Sequence, residues 1–301
     1  MTNLTDIFWI FQYEFFQRAF LGGICAALLC SVLGVFVVLR RASLIGEGLS
    51  HLAFGGIALG LFLAIYPLYT AFAFALLGTL IIYVLNRKKV VYSETAIGLI
   101  FSFGLAFGAV LASLAGGFNV DLFSYLFGSI LTITSGDLVT IIILTSIVLV
   151  FVVLFYKELV HLTFDEQGAR LAGIPVMKFE LAFNLMVALT VIVSIKIVGS
   201  LLVSALLIIP AASAMQFSKS FRGTLLIAMD LGILAVVFGL LVSFAYDVST
   251  GGMIVLLSLG IFVVCILLKS IGKSRKATER KVGQDGFDFI DENLICTEPP
   301  D

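Results

Sequence analysis

The chain has 301 residues, of which 61% are hydrophobic and only 12% are charged, and its formal net charge is −1. So apolar a composition excludes a soluble globular domain, and the near-neutral charge excludes a basic nucleic-acid-binding surface. The sequence therefore predicts an all-α polytopic membrane protein. We expect residues 1–18 to form an N-terminal interfacial segment, 19–268 the transmembrane domain, and 269–301 a disordered cytoplasmic tail.

The apolar runs set the number of membrane spans. A transmembrane helix needs roughly 20 apolar residues, and the sequence predicts about nine such helices, with eight or ten also compatible. Residues 120–131 are apolar but too short to cross, which predicts a re-entrant or interfacial helix. The predicted spans are 19–39, 48–66, 69–86, 96–115, 136–156, 179–195, 198–217, 224–246 and 252–268.

The basic residues predict the topology, because Lys and Arg concentrate in cytoplasmic loops. With the N-terminus outside and the C-terminus inside, only Arg18 and Lys196 of the 18 basic residues fall outside the inner segments. The basic part of the tail then meets the anionic lipid of the inner leaflet. Lys196, on the outer side, either extends to the interface or pairs with a carboxylate.

The most informative stretch is residues 40–60, between two apolar runs. Glu47 and His51 stand four residues apart, and on a helix this spacing puts both side chains on one face. A carboxylate oxygen and an imidazole nitrogen together suit a divalent first-row metal. Gly56 and Gly60 form a small-xxx-small step, which lets a neighbouring helix approach closely. The alternative is that His51 is a hydrogen-bonded or solvated side chain near the interface.

Two further carboxylates are tentative metal ligands. Asp230 falls within the eighth predicted span and Asp247 near its outer end. An acid inside a span is costly unless it faces a polar pathway. The alternative for Asp230 is a position near the inner interface.

Residues 157–178 form the longest polar stretch before the tail. Asp165 is a predicted helix N-cap, and Gly173 a predicted helix end with Pro175 beyond it. A short helix with small residues such as Ala169 would suit docking of a partner, while the alternative is a solvated loop. We interpret His161 as a solvated or hydrogen-bonded side chain.

Seven stretches occur in an order and spacing that are specific when taken together. They are 16–19, 39–51, 94–98, 125–128, 164–174, 196–212 and 246–252. The set resembles the permease subunits of bacterial ABC transporters that take up zinc, manganese or iron, over nearly all of residues 10–268. The run from Gly48 to Gly56 is most similar to the zinc branch.

The resemblance implies a type II ABC importer-like permease in the bacterial cytoplasmic membrane. It implies that Glu47 and His51 take part in metal passage, although the family usually has Asp where this chain has Glu47. Its partners would be a separate ABC ATPase, an extracytoplasmic metal-binding protein and a second permease, identical or paralogous. The metal would be a transported substrate, with no permanently bound cofactor. The resemblance also implies an ATPase-coupling helix within 163–174, with Asp165, Glu166, Ala169 and Gly173.

The chain has no GxxxxGK[ST] phosphate loop, so we expect a transport subunit that does not itself hydrolyse ATP. Three alternatives stay open. A gradient-driven secondary metal transporter would need coupling carboxylates at mid-membrane. A membrane scaffold or receptor would transport nothing. An ABC permease for a cobalamin- or siderophore-sized ligand would need a wide cavity instead of a metal-ligand pair.

Overall fold

A computed structural model describes residues 13–88, 91–116, 120–129 and 133–270. Within these ranges every regular element is a helix, which confirms the predicted all-α class. The predicted interfacial segment up to residue 12 and the tail beyond residue 270 lie outside the described residues. In chain order the helices are α1 Glu14–Leu39, α2 Leu44–Phe62, α3 Pro67–Arg87, α4 Ser93–Leu114, α5 Val120–Phe127, α6 Ser135–Leu154, α7 Tyr156–Phe164, α8 Glu166–Leu171, α9 Val176–Val198, α10 Val203–Ala214, α11 Phe221–Tyr246 and α12 Thr250–Ser270.

Eight of these helices are long and apolar enough to cross a membrane: α1 to α4, α6, α9, α11 and α12. The seventh predicted span, 198–217, is different, because its helix α10 has only 12 residues. Such a helix rises about 18 Å, against a hydrocarbon core of about 30 Å. Residues 199–202 form a turn rather than helix, so α10 begins five residues after the start of the predicted span.

The first helix starts earlier than the sequence predicts. Residues 14–18 of the predicted interfacial segment belong to α1, where Arg18 and Glu14 form an exposed ion pair of 2.5 Å one turn apart. At the other end, Lys269 and Ser270 of the predicted tail complete α12. Charged residues at helix ends are tolerated because their side chains reach the interface. Hydropathy alone excludes such residues and therefore predicts helices that are too short.

Helices α1, α2 and α9 form the centre of the bundle. Most of their residues are buried, whereas α3, α4, α6, α11 and α12 bury only a minority. α2 packs closely against both α3 and α4. The polar start of α2 is therefore inside the protein, which is where a charged or polar side chain at membrane depth is expected.

The short helix α5 is packed into the end of the bundle where α9 finishes. The amide of Ser200 donates to the carbonyl of Tyr125 at 2.8 Å, and that of Ser129 donates to the carbonyl of Lys196 at 3.3 Å. Gly199, with φ of +90°, ends α9 at this contact. The predicted non-spanning helix at 120–131 is confirmed for residues 120–127, and residues 130–132 lie outside the described ranges.

Candidate metal pathway and coupling segment

Glu47 and His51 lie one turn apart on α2, as their spacing predicts. Glu47 is half-buried, while His51 is only 7% exposed. Among the described residues, His51 Nδ1 has no hydrogen-bond partner although it is buried. An unsatisfied buried polar atom costs about 1–3 kcal/mol, so this nitrogen is a candidate metal-binding atom.

Glycines fix the backbone of α2 against its neighbours. A Cβ on Gly104 of α4 would lie 2.5 Å from the carbonyl oxygen of His51, and a Cβ on Gly48 would lie 2.7 Å from the Ile97 side chain. On the other side, Gly56 and Gly60 face α3 closely, as the small-xxx-small spacing predicts. Bulkier residues at these positions would push the helices apart, so the glycines set where Glu47 and His51 stand.

The imidazole itself packs against an aromatic ring. The ring centroids of His51 and Phe101 are 4.3 Å apart in an edge-on arrangement. Between the two candidate ligands, Ser50 donates its hydroxyl to the carbonyl of Glu47 at 2.9 Å. The polar side chains on this stretch of α2 are therefore one half-buried carboxylate, one hydroxyl and one imidazole, and the imidazole packs on an aromatic ring.

The described part of the chain holds no group of three or more His, Cys, Asp or Glu side chains that could bind a metal. Glu47 and His51 offer two ligands, fewer than the four of a structural zinc site. Two ligands would suit a site that a passing ion must leave again, and the assignment of Glu47 and His51 as metal ligands stays a prediction.

Asp230 and Asp247 do not complete a three-ligand site with Glu47 and His51 in the described structure. Asp230 lies on an exposed face of α11, which packs on α1 and α10. Asp247 is the exposed C-terminal cap of α11, with φ of +51°. Their assignment as metal ligands stays a prediction.

The polar segment after α6 folds as a capped helical pair, α7 and α8. The Asp165 carboxylate accepts a hydrogen bond from the amide of Gly168 at 2.8 Å and caps α8. Gly173, with φ of +81°, follows the end of α8. Both features were predicted, and so was the exposed His161.

α8 presents both a buried and an exposed face. Ala169 is fully buried and packs with Leu162 and Val176, whereas Leu171 is 90% exposed. Phe164, at the end of α7, is 65% exposed. Glu166 forms an exposed ion pair with Arg170 at 3.1 Å. The role of this segment in docking a partner protein stays a prediction.

Lys196 pairs with a carboxylate, which is one of its two predicted alternatives, but sequence reasoning did not identify the partner. Its ammonium lies 2.5 Å from Asp137 Oδ2 at the start of α6, and 3.3 Å from the Tyr66 hydroxyl. Tyr66 also donates to Asp137, and Thr134 and Asp137 form a reciprocal capping box. Burial of the hydroxyl, together with the Asp137 carboxylate, raises the pKa of Tyr66. The Thr134-x-x-Asp137 spacing predicts the cap, but nothing local predicts the ion pair.

Comparisons with known proteins agree with this architecture. A profile of the ABC 3 transport family matches residues 12–269. The manganese import system permease protein ScaB of Streptococcus gordonii is 33% identical, over 90% of this chain and 96% of the relative. The high-affinity zinc uptake system membrane protein ZnuB of Haemophilus influenzae is 34% identical, over 85% of this chain and 98% of the relative.

A solved structure is similar over the same extent. It is PsaBC from Streptococcus pneumoniae in complex with Fab, which matches with a TM-score of 0.79 and 30% identity. The match covers 87% of this chain and 95% of the solved chain. With its helical bundle and its match along nearly the whole length, the chain belongs to the ABC 3 transport family, as a membrane permease subunit of an ABC transporter.

Proposed function

We propose that this permease carries a divalent transition-metal ion inward across the bacterial cytoplasmic membrane, and that Glu47 and His51 are its transient ligands. The observation that carries the proposal is the buried Nδ1 of His51, which has no partner among the described residues and lies one turn from a half-buried carboxylate. Because the described residues offer no third ligand nearby, the pair would suit a metal ion that passes through better than one that stays bound.

Zinc is the cargo to test first, and manganese the second. Imidazole nitrogen suits zinc well, whereas carboxylate oxygen suits manganese, and this pair offers one of each. One relative is named for manganese import and another for zinc uptake. Glu47 is one methylene longer than the Asp usual in the resembling family, so the distance between the two ligands is a feature that could shift the preference, with iron as a further candidate.

The working unit we propose contains a second permease, identical or paralogous, a separate ABC ATPase and an extracytoplasmic metal-binding protein. The α7–α8 pair would dock on the ATPase through Asp165, Glu166, Ala169 and Gly173, with the exposed Phe164 and Leu171 beside them. This requires α7 and α8 to be cytoplasmic. An outer N-terminus, which the basic residues favour, would place them there, because five spanning helices, α1 to α4 and α6, precede them.

The experiment measures uptake of radiolabelled zinc and manganese by cells that contain the whole transporter. Wild type is compared with Glu47→Gln and His51→Ala at matched membrane abundance. Thr79→Val is the control, because Thr79 is equally buried and polar but bonds only within α3. Removing a group that merely supports a metal ligand costs about 10–100-fold, so loss of a ligand should lower uptake at least about tenfold.

Loss of uptake of one metal in both ligand variants, with the ATPase still bound and Thr79→Val normal, would support the pair and name the cargo. Normal uptake in both variants would remove Glu47 and His51 from the pathway. Dissipating the ion gradients while ATP is kept constant separates the gradient-driven alternative, which alone predicts that uptake stops.

A further inference from the structure

The corner between α1 and α2 carries an arginine whose side chain reaches the coupling segment. Arg40 Nε donates to Thr163 Oγ1 of α7 at 3.2 Å, across 123 residues of sequence. The guanidinium carbon lies 4.5 Å from the centre of the Phe183 ring on α9. One side chain thus contacts both α7 and α9 while its backbone caps α1.

The same corner leads directly into the candidate ligand helix. Arg41 has φ of +56°, a left-handed conformation that is uncommon for a residue with a side chain. The amide of Ala42 donates back to Val37 at 2.9 Å, which closes the turn tightly. α2 begins at Leu44, one turn before Glu47. A displacement of this short, closed turn therefore moves the start of α2 with it.

Arg40 is not neutralised where it stands. Within the described residues its Nη2 is buried and has no hydrogen-bond partner, and no carboxylate is in direct ion-pair contact with it. It lines a cavity of about 370 Å³ that also contains Glu166 and Glu180. Burial lowers the pKa of Arg40, while Glu180 and Glu166 act in the opposite direction. A partly buried charge held by one neutral hydroxyl and one ring has room to change partners.

We propose that Arg40 is the positioning residue through which movement of the α7–α8 segment reaches α2 and its two candidate metal ligands. The inference rests on the proposed function, because it assigns a route between the ATPase-facing helices and the metal pair. Its physical basis is a continuous set of contacts: α7 packs on α1, Thr163 binds the Arg40 side chain, and the Arg40 backbone joins α1 to α2.

The link predicts uncoupling rather than simple loss of function. An ATPase that still docks on α8 would still hydrolyse ATP, but its movement would no longer set the position of α2. Arg40→Met keeps an apolar, unbranched side chain but removes the guanidinium, with its charge, its Nε donor and its contact with the Phe183 ring. Arg40→Lys restores the charge without the Nε donor. Thr163→Val removes the acceptor hydroxyl, which also donates to the carbonyl of Leu159 within α7 at 2.7 Å.

The test uses the full transporter reconstituted in liposomes, with metal uptake and ATP hydrolysis measured on the same samples. Arg40→Met should lower uptake at least tenfold while ATP hydrolysis stays within twofold of wild type. Metal uptake by Arg40→Lys and by Thr163→Val should lie between that of wild type and that of Arg40→Met. Uptake by the double variant Arg40→Met, Thr163→Val should equal uptake by Arg40→Met alone, because both changes break the same contact. Arg222→Met is the control: Arg222 also lies near a ring of α7, 5.8 Å from the Tyr156 centre, but it is exposed and on α11.

Three results would overturn the inference: normal uptake in Arg40→Met, uptake and hydrolysis that fall in parallel, or an equal effect of Arg222→Met. If Arg40→Met does not assemble, Thr163→Val decides, since wild-type coupling in that variant would also overturn it. Absence of zinc and manganese uptake in the wild type would instead refute the proposed function. Uptake that depends on Glu47 and His51 but not on Arg40 would refute the inference alone.

Discussion

The ammonium nitrogen of Lys196 lies 2.5 Å from a carboxylate oxygen of Asp137, and both side chains are at least 96% buried. The two residues come from the end of α9 and the start of α6, and Tyr66 before α3 donates to the same carboxylate. An ion pair withdrawn from water is stabilising only when its geometry is good and its remaining polar atoms are satisfied. Here the carboxylate also accepts from Thr134, so the network joins three helix ends.

Removing one member of this ion pair should destabilise the protein strongly. Asp137→Asn or Lys196→Met leaves a buried charge without its partner, which costs about 3–5 kcal/mol. For a chain of this size we expect the midpoint of thermal unfolding of the purified protein to fall by roughly 10 °C. The double variant contains neither charge and should regain most of the loss.

The exposed Glu14–Arg18 pair is the control for the buried one. Its distance is also 2.5 Å, but Glu14 is 79% exposed, and such pairs contribute about 0.2–1 kcal/mol. Glu14→Gln should therefore change the midpoint only slightly. Equal effects of Glu14→Gln and Asp137→Asn, or a double variant as unstable as the two singles combined, would contradict the prediction.

Tyr66 should make the protein sensitive to alkaline pH. Its pKa is raised in the folded state by burial and by Asp137, while an unfolded tyrosine titrates near pH 10, roughly. The protonated Tyr66 hydroxyl therefore contributes its full stabilisation at pH values below the pKa of the unfolded state. This stabilisation is lost as the pH rises from there through the higher pKa of the folded state. We expect Tyr66→Phe to be less stable at neutral pH but to lose less stability at higher pH.

The measurement is the unfolding midpoint of wild type and Tyr66→Phe across the alkaline range. Tyr92→Phe is the control, because Tyr92 is 87% exposed, against 40% for Tyr66 with its hydroxyl bonded to Asp137. A parallel decline in wild type and Tyr66→Phe would show that other groups cause the alkaline loss.

Local sequence patterns predict the local parts of this molecule. The spacing of Glu47 and His51 predicts a shared helix face, and Asp165 and Gly173 predict the bounds of α8, because caps and helix faces depend on neighbours in sequence. Most spanning helices follow from hydropathy for the same reason.

The contacts between distant residues could not be predicted in this way. Asp137 and Lys196 are 59 residues apart, and Arg40 and Thr163 are 123 apart. Each pair forms only because the bundle brings helix ends together, and neither member carries a local signal of its partner. The shortness of α10 is similar: the Gly199 turn depends on its contact with α5, whereas hydropathy registers only a continuous apolar run.

Replacing Gly199 should disturb the junction of α5 and α9. Gly199 has φ of +90°, and a Cβ there would overlap the carbonyl of Leu126 and lie 2.5 Å from the amide nitrogen of Gly128. Backbone strain alone costs about 1–3 kcal/mol, and the overlap adds to it. We expect Gly199→Ala to lower the unfolding midpoint by more than strain alone explains.

A substitution at Gly116 distinguishes backbone strain from steric overlap. It also has φ of +90°, but a Cβ there would meet no atom of the described residues within 4 Å. Gly116→Ala should therefore show the strain without the overlap and lose less stability than Gly199→Ala. If the two variants were equally stable, the close contact at α5 would contribute nothing measurable.

The cap of α8 should matter for ATPase docking. Asp165→Ala removes the acceptor for the Gly168 amide, found at 2.8 Å, and weakens the start of α8 by about 0.5–2 kcal/mol. Asp165→Ser keeps a capping oxygen without the charge. Since α8 positions the exposed Leu171, we expect less ATPase to copurify with Asp165→Ala than with wild type, and an intermediate to normal amount with Asp165→Ser. Glu14→Ala, which removes an exposed acid at the start of α1, should retain the ATPase fully. Equal loss of ATPase from the Ala and Ser variants would mean that the carboxylate itself contacts the ATPase. Full retention of the ATPase by both variants would show that docking does not depend on the cap.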